Sequence, residues 1–260
     1  MDWLYTFSGL LVGLIVGVSG VGGGSLMTPL LVLLFGISPA TAVGTDLLYA
    51  ALTKLGGSWV HHKKGSVDWQ IVKRLATGSI PAALLSLWAL HELNLDEKQF
   101  KSIITTVLSV ALSLTALSLF LKPQLQKLGR RKSEANVELH AHPVAATVIT
   151  GAILGVLVTI SSVGAGALGM GVLLFLYPRH ATVKLVGSDI AHAVPLTLVA
   201  GLGHAALGTV NFSLLGALLL GSLPGIWIGS HLSARIPERV LQLILATLLL
   251  TIAAKFLFLK

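Results

Sequence analysis

Cysteine is absent from the 260 residues and charge is scarce, with 18 Lys and Arg, 10 Asp and Glu, and 11% charged residues in all. The first absence excludes disulfides, thiol redox chemistry and thiolate metal sites, and leaves the compartment open. Soluble domains carry about 25% charged residues. With 54% hydrophobic residues and a mean hydropathy of +0.88, the shortage of charge makes this an integral membrane protein. There is no loop of the Gly-x-x-x-x-Gly-Lys-Ser/Thr kind, so nucleotide hydrolysis of the P-loop type is not expected to drive it. The start, Met1-Asp2-Trp3-Leu4-Tyr5, lacks the basic region of a cleavable signal, and the first apolar run is expected to be retained. The net charge of +8 is dispersed over loops between apolar runs. Basic cytoplasmic loops explain it, and no nucleic-acid partner is expected.

Apolar runs fall at 3–18, 25–36, 40–60, 70–91, 100–121, 143–160, 167–177, 182–206, 210–233 and 239–259. The stretch 122–142 is polar, with Lys122, Lys127, Arg130, Arg131, Lys132, Glu134, Glu138, His140 and His142, and reads as a cytoplasmic linker. Two histidines without a third ligand do not make a metal site, and neither metal nor cofactor is expected.

Two stretches organise the rest: Ser19-Gly20-Val21-Gly22-Gly23-Gly24-Ser25 and Ser161-Ser162-Val163-Gly164-Ala165-Gly166-Ala167. Each follows a long apolar run and precedes one of about a dozen residues. Glycine weakens helices, and a dozen helical residues reach only ~18 Å of a hydrocarbon core of about 30 Å. Each stretch is therefore expected to break a helix inside the membrane.

The halves match at a fixed offset. Val43-Gly44-Thr45-Asp46 returns 143 positions later as Val186-Gly187-Ser188-Asp189, and Gly78-Ser79-Ile80-Pro81 as Gly221-Ser222-Leu223-Pro224. Gly65-Ser66-Val67-Asp68-Trp69 returns as Gly208-Thr209-Val210-Asn211-Phe212, and the glycine-rich stretches align at 142. Five runs per half, an odd number, turn the second half upside down. The basic loop 61–74 corresponds to 204–217, which has no Lys or Arg. The expected fold is an all-α integral membrane protein. It is a polytopic helical bundle of 8–10 apolar segments, built from two inverted repeats with short broken or re-entrant helices. The first repeat is 1–121, the linker 122–142 and the second repeat 143–260.

Among the acidic residues only Asp46 and Asp189 sit inside apolar runs, and they are repeat mates. Intramembrane carboxylates usually face a cavity or a partner. They read as proton carriers or cation ligands, or, more blandly, as interfacial caps, with Thr45 a natural cap. Tyr49 and His192 each follow an aspartate by three residues, on the same helical face. His192 is a candidate proton shuttle with Asp189. Lys54 lies eight residues past Asp46, or ~12 Å along a helix. It is expected to snorkel to the cytoplasmic face rather than pair with Asp46; attraction of an anion is the alternative. His204 is expected at the interface.

A helix starting inside the membrane presents free N–H groups and a positive dipole end, which suits an anion. Ser19, Gly20, Gly22, Gly23, Gly24, Ser25, Ser161, Ser162, Gly164 and Gly166 are the substrate-binding candidates. Asp46, Asp189, His192 and Tyr49 are the coupling candidates. In inverted-repeat transporters, matched glycine-interrupted segments mark the substrate site; simple close packing of helices is the competing explanation.

The glycine-rich turn after the first segment, Gly36-Ile37-Ser38-Pro39-Ala40-Thr41-Ala42, Val43-Gly44-Thr45-Asp46 and the second-half echo together resemble the sulfite exporter TauE/SafE family over essentially the whole chain. The resemblance implies a multi-pass protein of the bacterial cytoplasmic membrane that moves small anions such as sulfite or organosulfonates. The expected partners are a small anionic substrate and the lipid bilayer, and a homodimer is compatible with the reading. A membrane-embedded enzyme of the lipid-pyrophosphate phosphatase kind and a cation carrier using Asp46 and Asp189 are the alternatives. The enzyme is disfavoured because all six arginines lie in loops or at segment ends, where they cannot clamp a reacting phosphoryl group.

Overall fold

A computed structural model describes residues 3–19, 24–93, 96–135, 143–232 and 238–258. These residues form ten α-helices and no strand. The helices are α1 (Trp3–Ser19), α2 (Gly24–Phe35), α3 (Pro39–Lys63), α4 (Trp69–Glu92), α5 (Glu97–Ala135), α6 (Pro143–Ser161), α7 (Ala167–Leu176), α8 (Thr182–Ala206), α9 (Phe212–Leu232) and α10 (Glu238–Phe258). An all-helical chain is what lipid demands, because only helices and closed barrels satisfy the backbone there. The bundle is an all-α polytopic membrane protein.

Among the described residues four helices are long and apolar enough to cross a membrane, within Lys98–Leu128, Val144–Ser161, Thr182–Ala206 and Phe212–Gly229. α3 and α4 are comparably long, at 25 and 24 residues. α2 and α7 have only 12 and 10 residues, or ~18 and ~15 Å at the helical rise. Neither spans the ~30 Å hydrocarbon core alone. All five tryptophans (Trp3, Trp59, Trp69, Trp88 and Trp227) are exposed, as are Leu84, Ile149, Leu220 and Ile244. Such an apolar exterior suits lipid, and tryptophan favours the membrane interface.

Local chemistry sets the helix ends. Ser38 accepts the Thr41 N–H at 3.2 Å and Pro39 occupies the first turn of α3, where a missing N–H costs nothing. Asp68 caps α4 by accepting the Gln70 and Ile71 N–H groups. Asn211 accepts the Leu214 N–H at 3.0 Å at the start of α9. α5 differs from expectation: it continues to Ala135, so residues 122–135 of the expected linker are helical. Good helix formers such as Lys122, Gln124, Leu125, Gln126, Lys127 and Leu128 sustain it. His140 and His142 lie outside the described residues.

The helices pair across the two halves: α1 with α9, α4 with α6, α3 with α8 and α5 with α10. Two seams are glycine against carbonyl. A methyl at Gly9 would strike the Leu218 carbonyl, and one at Gly221 the Thr6 carbonyl. In the other seam a methyl at Gly151 would strike the Leu75 carbonyl, and one at Gly78 the Val148 carbonyl. These contacts map onto each other at the offsets of 142 and 143 read from the sequence. Hydrogen bonds follow the same mapping. The Asp68 N–H donates to Ser188 Oγ at 2.8 Å, and the Asn211 N–H to Thr45 Oγ1 at 3.1 Å. Ser66 Oγ donates to the His61 carbonyl, and Thr209 Oγ1 to the His204 carbonyl, each at 3.0 Å.

Candidate functional site

The second glycine-rich stretch interrupts the α6–α7 path over residues 162–166. Ser162 has φ 59° and is, among the described residues, the one non-glycine residue with positive φ. That conformation is costly outside glycine and recurs at functional sites. Gly164 and Gly166 follow at φ 124° and 138°, values that a side chain would resist. Ser161 Oγ donates to the Leu157 carbonyl at 2.6 Å and accepts the Val163 N–H at 3.2 Å, so it is committed to shaping the break. Gly20, Gly22 and Gly23 lie outside the described residues. Ser19 closes α1 and Gly24 opens α2, and Ser25 is buried in the first turn of α2.

Asp46 and Asp189 are 0% and 3% exposed, each within its helix rather than at its start. Neither therefore caps the start of its own helix. Ser38 caps α3, and Thr45 accepts the Asn211 N–H instead. Asp46 Oδ2 accepts the Thr28 hydroxyl of α2 at 2.5 Å. Ser162 is an electrostatic neighbour of Asp46, although its buried hydroxyl makes no formed hydrogen bond. Asp189 lies against α7, where a methyl at Gly169 would strike Oδ1.

Lys54 overturns its expected place. It is 8% exposed, and its Nζ donates to the Ala165 carbonyl within the α6–α7 break at 2.8 Å. Both Asp46 and Asp189 interact electrostatically with it. The side chain therefore turns inward, with a hydrogen bond to the Ala165 carbonyl and both buried carboxylates as longer-range electrostatic neighbours. The spacing along α3 hid this arrangement, since the hydrogen-bond partner comes from the α6–α7 break and a second carboxylate from α8. A lysine inside an apolar run was the available signal.

His192 is fully buried, with Nε2 2.8 Å from Ser79 Oγ of α4. Tyr49, its counterpart, is also fully buried, with Ser222 and Asp46 as electrostatic neighbours. His204, in the last turn of α8, is buried within the bundle; Nδ1 is 2.9 Å from Thr209 Oγ1 and Nε2 2.9 Å from the Thr159 carbonyl. Around the centre, Asp46 Oδ1, Asp189 Oδ1, Ser162 Oγ, Tyr49 Oη and His192 Nδ1 are buried without a hydrogen-bond partner among the described residues. Native interiors leave few such atoms. Thr115 Oγ1 and Thr159 Oγ1 are the other such atoms among the described residues.

A polytopic helical bundle with an interrupted helix, intramembrane carboxylates and a buried lysine belongs to the class of membrane transporters. The sulfite exporter TauE/SafE family model matches residues 5–256, and the chain belongs to that family. It is 40% identical over 247 residues to the probable membrane transporter protein YjnA of Bacillus subtilis (strain 168), covering 95% of this chain and 96% of that protein. It is 26% identical over 235 residues to the probable membrane transporter protein YdhB of the same organism, covering 89% and 90% respectively. No solved structure matches the chain.

Proposed function

We propose that this membrane transporter is a secondary carrier, working as an exporter, of small anions such as sulfite or organosulfonates. Transport is linked to protons across a bacterial cytoplasmic membrane. The observation that carries the reading is Lys54, whose buried ammonium lies on the Ala165 carbonyl with Asp46 and Asp189 as electrostatic neighbours. A fixed cation beside irregular backbone offers an anion a partner inside the bilayer, where charged groups mark ion pathways. The neighbouring carboxylates supply proton-accepting groups at the same place. Two repeats entering the membrane in opposite senses account for the equivalent contacts of the halves and for the missing basic residues at 204–217.

Cation carriage is less well served, because the ammonium of Lys54 is already an electrostatic neighbour of both carboxylates. Phosphatase chemistry lacks its clamp, since all six arginines lie in loops or near segment ends, and Arg74 in the second turn of α4 donates to Tyr177.

A counterflow screen of sulfite, sulfate, thiosulfate and sulfonates in vesicles tests the substrate class. Lys54→Met is expected to lower flux of the accepted anion by about 100-fold or more, the loss typical when one member of a buried charge pair is removed. Unchanged flux in that variant would remove Lys54 from the site. No accepted anion in the screen would sink the anion reading.

A further inference from the structure

We propose, resting on the reading of this centre as an anion site, that it accepts monovalent anions and takes up one proton with each, so that transport is electroneutral. The groups that face the centre can be counted. α3 contributes Asp46, Tyr49 and Lys54, and α8 contributes Asp189 and His192. α2 contributes the Thr28 hydroxyl, the α6–α7 break Ser162 and the Ala165 carbonyl, and α4 Ser79 on the far side of His192. Among the described residues Lys54 is the one cation that interacts with either carboxylate.

A buried site is stable only when its charges balance, because an uncompensated ion is costly away from water. In the empty site the Lys54 ammonium is balanced by one carboxylate, while the other holds a proton. Asp46 accepts the Thr28 hydroxyl, a bond that favours an anion, so Asp46 is equipped to be the ionised partner. Oδ1 of both carboxylates lacks a partner among the described residues, so the Thr28 bond is what separates the two, and Asp189 suits the protonated member. When a monoanion pairs with Lys54, the ionised carboxylate is displaced as counter-ion and must accept a proton for the site to stay neutral. Anion and proton enter together and leave together. A dianion would leave one negative charge over with both carboxylates already protonated, unless His192 took up a second proton.

The test uses the full chain in liposomes, with a trapped pH dye and the voltage set by potassium and valinomycin. The probes are methanesulfonate and mildly acidic sulfite, supplied as hydrogensulfite, as monoanions, and sulfate and thiosulfate as dianions. At least one monoanion is expected to move with one proton each, driven by a pH gradient and unaffected by voltage, while the dianions stay out. Preferential dianion flux, no proton, two protons per anion or voltage-driven flux would each overturn the inference while leaving an anion carrier standing. If none of the four probes moves, the anion reading itself falls. In the double variant Asp46→Asn/Asp189→Asn, the remaining flux should lose its proton and become voltage-driven. A retained proton in that variant also overturns the inference. If the variant does not fold, the proton-to-anion ratio of the unmodified protein decides.

Discussion

Tyr49 and His192 stand 143 positions apart, both fully buried and both three residues past an aspartate. Ser222 and Ser79, their neighbours in α9 and α4, are also 143 apart. Yet the imidazole reaches its serine at 2.8 Å, while the phenol hydroxyl has no hydrogen-bond partner among the described residues. The same division recurs elsewhere. Lys54 corresponds to Thr197, whose hydroxyl merely bonds the Ala193 carbonyl one turn back. At the ends of the short helices, Phe35 stacks on Tyr5 with centroids 4.9 Å apart. The equivalent Tyr177 instead lies 2.7 Å from Thr147 Oγ1 and accepts from Arg74 Nη1 at 3.2 Å. Backbone contacts thus agree between the halves while side-chain chemistry diverges. The frame is shared, each half supplies one buried carboxylate, and the buried ammonium comes from the first half alone.

The largest expected effect strikes the shared frame. Gly78→Leu and Gly221→Leu should each cost about 3 kcal/mol or more, because the collision is with a neighbouring backbone that cannot give way. Thermal unfolding in detergent measures this, and markedly unequal losses would break the equivalence of the two seams. Gly216→Ala is the control, since nothing lies within 4 Å of the added carbon; stability should hold or rise by up to ~1 kcal/mol.

A smaller effect separates the diverged pair. His192→Phe strands a fully buried Ser79 hydroxyl and should cost about 1–3 kcal/mol. Tyr49→Phe removes a hydroxyl that has no hydrogen-bond partner and should be neutral or slightly stabilising. Equal melting temperatures for the two variants would erase the distinction.

The smallest effect lies at the partly exposed contact between the α7–α8 turn and α4. There His180 Nε2 is 3.4 Å from Asp68 Oδ2, at 34% and 21% side-chain exposure. His180→Ala should change stability by no more than ~1 kcal/mol, as water already screens the pair. A larger loss on calorimetry would mean that this end of the molecule is held more tightly than its exposure implies.

Much of this frame was legible in the chain. The offsets of 142 and 143 anticipated which glycines and caps would be equivalent, and the shortness of the run after Gly166 anticipated α7. Asp46 and Asp189 were visible because an acid in an apolar run needs a reason. Lys54 was misplaced because its eight-residue distance from Asp46 was judged along one helix axis. Its hydrogen-bond partner, Ala165, and one of its two carboxylate neighbours, Asp189, arrive from the other half, which no local pattern encodes. The reach of α5 was hidden by Pro123 and a cluster of basic residues, which look like a linker but sit inside a helix.

The glycine–carbonyl seams carry a further consequence. Backbones locked at that distance cannot slide past one another without first parting, so α1 is bound to α9 and α4 to α6 as stiff composite blades. Each blade draws one helix from each half of the chain. The two sequence halves are therefore tied to each other along both seams. A rearrangement that kept both seams intact would have to move these mixed blades, rather than rock one sequence half against the other.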